Sequence, residues 1–307
     1  MFLDDFGQAS SHYPRFRAMI GVKNFLTRAA CTPCAPDDFP HARLLSSNLS
    51  QGAERQRAST HCTVSSETCL VSRMSPHTRH YLVAGGAGFL GSYIVEALVA
   101  RGEDHVAVYD LTEPNEADKL PTVSYFRGDI CDTPRLVDVL RHTQTTIVFH
   151  VASPVRGLPD SIYTCVNVKG TRTLLEACRH PSLNGAVGKL VYTSSTGVVW
   201  MSKELAGVSE DEVSIPDKGF DAYHHTKAVA ESMVLGANKD GLRTVAMRPC
   251  GMIGPRDGQL LFRLARLLAD GQHKIQIGDN SASIDWVYPG NVADAHLLAA
   301  DRLPWPA

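Results

Sequence analysis

An apolar segment followed at once by three evenly spaced glycines constrains this chain more than any other stretch. Tyr81–Ala84 has the composition of a buried parallel strand, and Gly85, Gly88 and Gly91 follow it in the pattern G-x-x-G-x-x-G. Ser92–Ala100 then has the apolar spacing of a helix. A strand, a glycine turn and a helix N-terminus can hold a pyrophosphate, because backbone N–H groups and the helix dipole face the anion without an intervening Cβ. Taken alone, this stretch leaves a purely structural strand, turn and helix open as the alternative.

Strand-like and helix-like segments alternate along the rest of the chain. The predicted strands are Tyr81–Ala84, His105–Tyr109, Val123–Phe126, Thr145–His150, Gly188–Thr193 and Leu242–Met247. A further short strand is predicted at Lys274–Ile277. The predicted helices are Ser92–Ala100, Asp132–Arg141, Ser161–Arg179, Asp221–Asn238, Leu260–Ala269 and Asn291–Ala300. Such alternation predicts an α/β fold with a Rossmann-type, doubly wound parallel sheet.

Charge and composition narrow the partners that this chain can have. A formal net charge of −2 gives no global positive field, so we expect no nucleic-acid partner. The sequence contains no run of about 18 apolar residues that would predict a transmembrane helix. Eight scattered cysteines favour reduced thiols over a disulfide framework. Cys31, Cys34, His61 and Cys62 lack the regular spacing of a zinc site, and we predict no metal centre.

The first 73 residues differ in character from the rest. They are rich in Ser, Arg, Pro, Gln, Thr and His, and no apolar period persists within them. We expect residues 1–73 to be a disordered or mis-annotated extension, with the true start near Met74. Residues 74–250 are predicted to form a NAD-binding domain that also carries the catalytic residues, and residues 251–307 to form part of a substrate-binding region.

Two residues at the ends of predicted strands are candidates for contact with a dinucleotide. Asp110 follows Gly91 by about 20 residues, the spacing at which a carboxylate accepts hydrogen bonds from the adenosine ribose hydroxyls. Its charge would repel a 2′-phosphate, which favours NAD over NADP; a capping or turn role is the alternative. His150 ends the fourth strand, at the edge where open α/β sheets bind ligands, and we favour a positioning role for it over catalysis.

Three further residues suit hydride transfer between a secondary alcohol and a nicotinamide. Tyr223 and Lys227 lie four apart on one predicted helical face. The charge of Lys227 is expected to lower the pKa of Tyr223 from about 10 towards neutrality, so that the phenolate accepts the hydroxyl proton. Ser195, flanked by Ser194 and Thr196 after the fifth strand, is expected to hydrogen-bond the substrate oxygen.

These motifs resemble those of the extended short-chain dehydrogenase/reductase family. Within it they are similar to the 3β-hydroxysteroid dehydrogenase branch, and there to fungal sterol-4α-carboxylate 3-dehydrogenases (decarboxylating). The resemblance rests on Gly85–Gly91, Tyr192–Ser195, Phe220–Lys227, Met247–Pro249, Gly254–Asp257, Asp285–Tyr288 and Gly290–His296. It implies a catalytic triad of Ser195, Tyr223 and Lys227. It implies cofactor contacts from Gly85, Gly88, Phe89, Leu90, Gly91, Asp110, Asp129, Ile130, His150, Ala152, Tyr223, Lys227 and Pro249.

The same resemblance implies a function. It implies NAD-dependent oxidation of a 3β-hydroxyl on a sterol or steroid-like substrate, beside a 4α-carboxylate whose loss leaves the 3-ketone. It also implies a homodimer, peripheral membrane contact and a cytosol-facing location at the endoplasmic reticulum, with a cytoplasmic location as the alternative. Family members continue past the position of Ala307, so we expect a truncated substrate domain. A tailoring dehydrogenase of fungal triterpenoid or steroid metabolism, a sugar-nucleotide epimerase and an inactive NAD-binding protein stay open as alternatives.

Overall fold

The computed structural model of the chain describes residues 78–202, 205–274, 279 and 283–306. The predicted extension at residues 1–73 lies outside the described residues, and so do the four residues weighed as a zinc site, Cys31, Cys34, His61 and Cys62. What the sequence indicates for them therefore stays a prediction.

A six-stranded parallel sheet forms the centre of the fold. Its strands are β1 (Tyr81–Ala84), β2 (Val106–Asp110), β3 (Val123–Arg127), β4 (Ile147–His150), β5 (Lys189–Thr193) and β6 (Arg243–Met247). They lie in the order β3-β2-β1-β4-β5-β6, and every neighbouring pair is parallel. The strand order reverses between β1 and β4, which is the point where such sheets bind ligands at their carboxyl ends. The predicted doubly wound sheet is confirmed.

Helices cover both faces of this sheet. They are α1 (Phe89–Ala100), α2 (Thr133–His142), α3 (Asp160–Tyr163), α4 (Thr171–Cys178), α5 (Ala222–Gly236), α6 (Leu260–Ala269) and α7 (Pro289–Arg302). Strand side chains alternate between the faces: Leu82 and Ala84 join a core with α2, α4 and α5, whereas Tyr81 and Val83 join a core with α1 and α7. Within the described residues, none of the helices has both the length and the apolar character that crossing a bilayer requires.

One predicted helix is interrupted. The sequence predicts a continuous helix over Ser161–Arg179, but a π-helical segment, Thr164–Gly170, separates α3 from α4. The buried Asn167 of this segment donates to Thr226 Oγ1 at 3.0 Å and accepts from Ser153 Oγ at 3.0 Å. The spacing of apolar residues along a helix gives no information about such tertiary hydrogen bonds. π-Helical turns of this kind are frequent near functional sites.

The region after α6 also differs from expectation. The strand predicted at Lys274–Ile277 is wrong at its first residue, because Lys274 ends the short 3₁₀ helix Gln272–Lys274; residues 275–277 lie outside the described part of the chain. A small parallel pair that the sequence did not indicate joins β7 (Gly251–Met252) to β8 (Trp286–Val287). Two residues per strand are too few to show an alternating pattern.

The glycine turn lets α1 pack directly against the end of β1. Gly85 has a φ of +90°, and a Cβ there would lie 2.5 Å from the backbone nitrogen of Ala152. A Cβ on Gly91 would overlap the carbonyl oxygen of Gly85. Both obstructions are backbone atoms, so no side-chain movement can relieve them. These two glycines therefore set the distance between helix and sheet.

We predict that Gly91→Ala lowers the free energy of unfolding by about 2 kcal/mol or more, because the added carbon meets backbone that cannot move aside. Gly236→Ala is the matched control, since open space surrounds Gly236 at the end of α5. That control should be neutral, or stabilising by up to about 1 kcal/mol. Urea unfolding followed by circular dichroism measures both variants, and equal effects would contradict the packing role of Gly91.

Candidate active site

A cleft of ≈ 2480 Å³ runs along the carboxyl ends of the sheet strands. It exceeds the roughly 300–1,000 Å³ of ordinary ligand pockets, so a dinucleotide and a second ligand fit together. The structure brings all but one of the predicted site residues into its lining, namely Gly85, Gly88, Phe89, Leu90, Gly91, Asp110, Asp129, Ile130, Ala152, Ser195, Tyr223, Lys227 and Pro249.

The glycine turn offers bare backbone to this cleft. Gly88 is the N-cap of α1, no side chain caps the helix, and its first turn holds no acidic side chain. A Cβ on Gly88 would come within 3.3 Å of the Gly85 carbonyl oxygen, which is tight even before a ligand approaches. An uncapped helix N-terminus with backbone N–H groups facing a cleft attracts an anion. The turn therefore fits a pyrophosphate.

Asp110 is tied to the glycine turn and also faces the cleft. Its Oδ2 accepts a hydrogen bond from the Ala87 backbone N–H at 3.0 Å, and its Oδ1 accepts one from the Thr112 backbone N–H at 3.3 Å. A carboxylate can accept about four hydrogen bonds, so capacity remains for two hydroxyl donors. Asp110 thus has the turn role that the sequence left open, and it keeps acceptors for a ribose.

Asp129 and Ile130 form the part of the wall that follows β3. The Asp129 carbonyl accepts from the Tyr109 hydroxyl at 2.8 Å, and its Oδ1 accepts from the Cys131 backbone N–H at 2.8 Å. Ile130 packs on Gly170, where a Cβ would lie 2.6 Å from Ile130 Cγ2. These contacts fix the loop, so the Ile130 side chain and the Asp129 backbone are available to pack against a flat ring of a bound ligand.

His150 is the predicted site residue whose side chain does not reach the cleft. Its ring is fully buried, with Nε2 at 2.8 Å from Thr171 Oγ1 and its face against Tyr192. Burial, helped by the charge of Lys227, lowers the pKa of His150 to about 3, so the ring stays neutral. The expected cofactor contact is corrected to a packing role behind the site.

The two serines after β5 have different surroundings. Ser195 is the N-cap of the 3₁₀ helix Thr196–Val199, accepts from the backbone N–H two residues on at 3.1 Å, and lines the cleft. Ser194 is buried and donates to Glu231, which Arg248 contacts at 2.6 Å. The hydroxyl of Ser194 is therefore engaged inside the fold, and Ser195 is the serine of the pair that remains available to a ligand.

Lys227 is almost completely buried at the junction of β5 and α5. Its ammonium donates to the Thr193 carbonyl at 2.6 Å and lies 4.6 Å from the centre of the Tyr192 ring. Burial lowers the pKa of Lys227 to about 7, and the charge of Glu231 opposes that shift only in part. Lys227 therefore titrates near neutral pH.

Tyr223 has a pKa that moves opposite to expectation. Burial raises it, while the charge of Arg156 and a hydrogen bond with Ser195 pull it down without reversing the shift. The Arg156 guanidinium carbon lies 4.7 Å from the centre of the Tyr223 ring. The sequence predicts that Lys227 lowers this pKa, but its ammonium is directed to the Thr193 carbonyl and burial dominates.

Three residues beside Tyr223 were not among the predicted site residues. Asp221 Oδ1 lies 2.7 Å from His224 Nδ1, and Arg156 Nη2 lies 3.0 Å from His224 Nε2. Asp221 had a detectable signal as the N-cap of α5, whose oxygen accepts the His224 backbone N–H at 2.8 Å. Arg156 comes from the loop after β4, and no local pattern places it here.

A glycine cradle at the switch point, an acidic residue ending β2, and Ser195, Tyr223 and Lys227 in one cleft define a dinucleotide-binding α/β protein of the extended short-chain dehydrogenase/reductase type. The family model for the 3-beta hydroxysteroid dehydrogenase/isomerase family matches residues 82–307. The chain belongs to that family.

Two relatives show how much of a family member this chain contains. The decarboxylating sterol-4-alpha-carboxylate 3-dehydrogenase of Saccharomyces cerevisiae is 38% identical over 231 residues, which covers 72% of this chain and 65% of the yeast protein. The human enzyme of that name is 36% identical over 224 residues, covering 72% of this chain and 57% of the human protein. The chain thus spans less than two thirds of the length of either relative.

Solved structures share the fold. The UDP-glucose 4-epimerase of Thermus thermophilus in complex with NAD matches with a TM-score of 0.60 at 31% identity, covering 72% of this chain and 74% of that one. MoeE5 in complex with UDP-glucose and NAD matches with a TM-score of 0.59 at 30% identity, covering 73% and 72%. The extended short-chain dehydrogenase/reductase fold is confirmed.

We predict that the buried Lys227 makes the chain more stable as pH rises. Its pKa is about 7 in the folded chain against 10.5 for an exposed lysine, so between these values the unfolded chain binds the extra proton. Stability is lowest below pH 7 and rises by at most about 1.4 kcal/mol per pH unit through this window.

Lys227→Met removes this titration and keeps the side-chain length. Urea unfolding at neutral pH and two pH units higher should show a gain that is about 2 kcal/mol larger for the wild type than for the variant. The same pH dependence in both proteins would show that Lys227 is not the titrating group.

Proposed function

We propose that this chain carries the catalytic part of an NAD-dependent oxidoreductase. It oxidises a 3β-hydroxyl on a sterol or steroid-like substrate that bears a 4α-carboxylate, and the product then decarboxylates to the 3-ketone. The observation that carries the proposal is that Ser195, Tyr223 and Lys227 line the same cleft as the glycine turn, Gly85–Gly91. Membership of the 3-beta hydroxysteroid dehydrogenase/isomerase family and the printed activity of the yeast relative support the substrate class.

In this proposal Tyr223 exchanges a proton with the substrate hydroxyl. A bound nicotinamide would supply the hydride acceptor. Ser195 holds the substrate oxygen against the phenol, since its side chain is in hydrogen-bond contact with Tyr223. Lys227 anchors the helix one turn from Tyr223 through its bond to Thr193, which fixes where the phenol points. Because burial raises the pKa of Tyr223, formation of the phenolate that accepts the hydroxyl proton depends on positive charge beside its ring.

Loss of carbon dioxide needs no further base. Oxidation of a hydroxyl beside a carboxylate gives a β-keto acid. The electrons of the bond between the ring carbon and the carboxylate then pass towards the ketone oxygen, which gives an enolate as carbon dioxide leaves, and a proton taken up at the ring carbon gives the 3-ketone. Ser195 and Tyr223 can donate hydrogen bonds to that ketone oxygen, and this is the only help the step requires.

The cleft lining includes a set of apolar side chains of the kind that a steroid requires. Its lining includes Val199, Trp200, Leu205, Val208 and Phe220. The Trp200 and Phe220 rings lie 4.6 Å apart, and Leu205 and Val208 are 40% and 45% exposed. Covering such side chains with a rigid hydrocarbon skeleton contributes up to about 1.5–3 kcal/mol each.

A sugar-nucleotide epimerase is the second candidate. The likeness to the NAD-bound UDP-glucose 4-epimerase favours it. An epimerase returns the hydride to its substrate, so turnover releases no reduced cofactor. Net formation of NADH from a carboxylated 3β-hydroxysteroid therefore separates the two candidates.

Assembly and location stay predictions. We propose a homodimer through the helices that carry Asn167 and Tyr223, and peripheral attachment to the endoplasmic reticulum membrane. Both rest on the family resemblance alone.

We predict that Tyr223→Phe lowers NADH formation and carbon dioxide release together, by about 10²–10⁴-fold, because decarboxylation depends on the ketone. Tyr192→Phe is the control: within the described residues the buried Tyr192 hydroxyl has no hydrogen-bond partner, so its removal should leave turnover unchanged. Carbon dioxide release that persists in Tyr223→Phe without ketone formation would contradict the scheme.

We predict that Asp110 sets the preference for NAD. Asp110→Asn keeps the shape of the side chain but removes the charge that opposes a 2′-phosphate, so the ratio of the NADPH to the NADH dissociation constant should fall by about 10–100-fold. Asp138→Asn removes an exposed carboxylate outside the cleft and should leave this ratio unchanged. Fluorescence titration measures both cofactors, and an unchanged ratio in Asp110→Asn would overturn the assignment.

A further inference from the structure

Within the described part of the chain, Arg156 is one of five cations that line the cleft, with Lys227, Arg248, Arg256 and Arg263, and it differs from three of them in what it contacts. Arg248 and Arg256 each contact a glutamate, and the ammonium of Lys227 donates to a backbone carbonyl. Arg156 contacts the imidazole of His224, and among the described residues it forms no ion pair with a carboxylate. Arg156 lines the cleft and is exposed to it. An exposed guanidinium in a cleft, without a bound carboxylate, is suited to an anionic group of a ligand.

The hydrogen-bond partners of His224 show which of its two ring nitrogens carries the proton. Nδ1 lies 2.7 Å from Asp221 Oδ1, and a carboxylate can only accept, so Nδ1 carries the proton. Nε2 then has a free lone pair and accepts from Arg156 Nη2 at 3.0 Å. Two successive hydrogen bonds, from the Asp221 carboxylate to the His224 imidazole and from the imidazole to the guanidinium, orient Arg156 through a neutral ring. The positive charge of Arg156 is therefore held in place without a directly bound counter-ion.

The backbone around Arg156 is also fixed. The Tyr163 hydroxyl donates to the Val155 carbonyl at 2.9 Å and accepts from the Leu158 N–H at 3.2 Å, so it bridges the residues on either side. The Arg156 N–H donates to Gln259 Oε1 at 3.3 Å. A side chain that is oriented before a ligand arrives loses little entropy when it binds.

The guanidinium is held beside the residue that performs proton transfer. Its carbon lies 4.7 Å from the centre of the Tyr223 ring. In the substrate class proposed above, the hydroxyl and the carboxylate sit on adjacent carbons. When the hydroxyl oxygen of the substrate is hydrogen-bonded to Tyr223, the carboxylate is attached to the neighbouring ring carbon. The carboxylate then lies within a few ångströms of Tyr223, a distance similar to the 4.7 Å between the Tyr223 ring and the Arg156 guanidinium.

We propose that Arg156 binds the substrate carboxylate in a paired N–H···O contact, with His224 and Asp221 as positioning residues. The proposal rests on the proposed function, since it names the group that selects carboxylated 3β-hydroxysteroids. A guanidinium has five N–H donors and only one goes to His224, so a pair remains for a carboxylate at about 2.7–2.9 Å. The ketone product has lost the carboxylate, so it forfeits this contact and leaves more readily.

The experiment compares the binding of two steroids by the full chain. Both carry a 3β-hydroxyl; one has a 4α-carboxylate and the other a 4α-methyl group. Isothermal titration measures their dissociation constants with wild type, Arg156→Met, Arg156→Lys and Arg266→Met. Arg266 is 74% exposed and lies outside the cleft lining, so its variant controls for the loss of one positive charge.

We expect wild type to prefer the carboxylated steroid, and Arg156→Met to reduce that preference by about 10–100-fold. Arg156→Lys should keep part of the preference, because an ammonium retains the charge but not the paired geometry. Arg266→Met should keep all of it. Binding of the ketone product should be the same in wild type and Arg156→Met.

The possible failures point to different causes. A preference that survives in Arg156→Met overturns the role of Arg156 and leaves the proposed function standing. Equal loss of affinity for both steroids in Arg156→Met also overturns it, since Arg156 would then act on the site as a whole. A wild type that binds neither steroid, or does not prefer the carboxylated one, refutes the proposed substrate class itself.

Discussion

The direct contact between the backbone at Gly85 and the start of α1 is the constraint on which the site depends. No side chain fits between Gly91 and the Gly85 carbonyl, and none fits between Gly85 and Ala152 on the neighbouring strand connection. Helix, turn and two strand ends therefore meet through bare backbone. This contact holds the uncapped N-terminus of α1 at the switch point of the sheet, and Asp110 reinforces it by accepting from the turn.

One face of α5 organises the other side of the cleft. Tyr223, Lys227 and Glu231 recur at four-residue intervals, so they lie along a single line of the helix. Lys227 bonds to the Thr193 carbonyl and Glu231 accepts from Ser194, so both lower residues bind the end of β5. Burial of the ammonium lowers the pKa of Lys227. The same burial lets Lys227 hydrogen-bond the Thr193 carbonyl, and this bond fixes the helix against the sheet. The position of Tyr223 follows from these two bonds.

Sequence patterns predicted the parts of the molecule that local chemistry determines. The six strands follow from apolar runs, and Ser195, Tyr223 and Lys227 follow from motif spacing. The surroundings of His150, the engagement of Ser194 and the π-helical turn at Asn167 could not be predicted, because each depends on a partner at least 14 residues away. The direction of the Tyr223 pKa was missed for the same reason: burial is a property of the assembled fold.

Lys227 and Arg156, two cations near Tyr223, have different environments and therefore different roles. Lys227 is buried and its pKa is about 7, so its charge depends on pH and its main contribution is to hold the helix. Arg156 is exposed, and its guanidinium lies 4.7 Å from the centre of the Tyr223 ring. It also pulls the pKa of Tyr223 down against the effect of burial. The two cations therefore act on Tyr223 by different means: Lys227 fixes the helix that carries it, and Arg156 acts on the phenol through its charge.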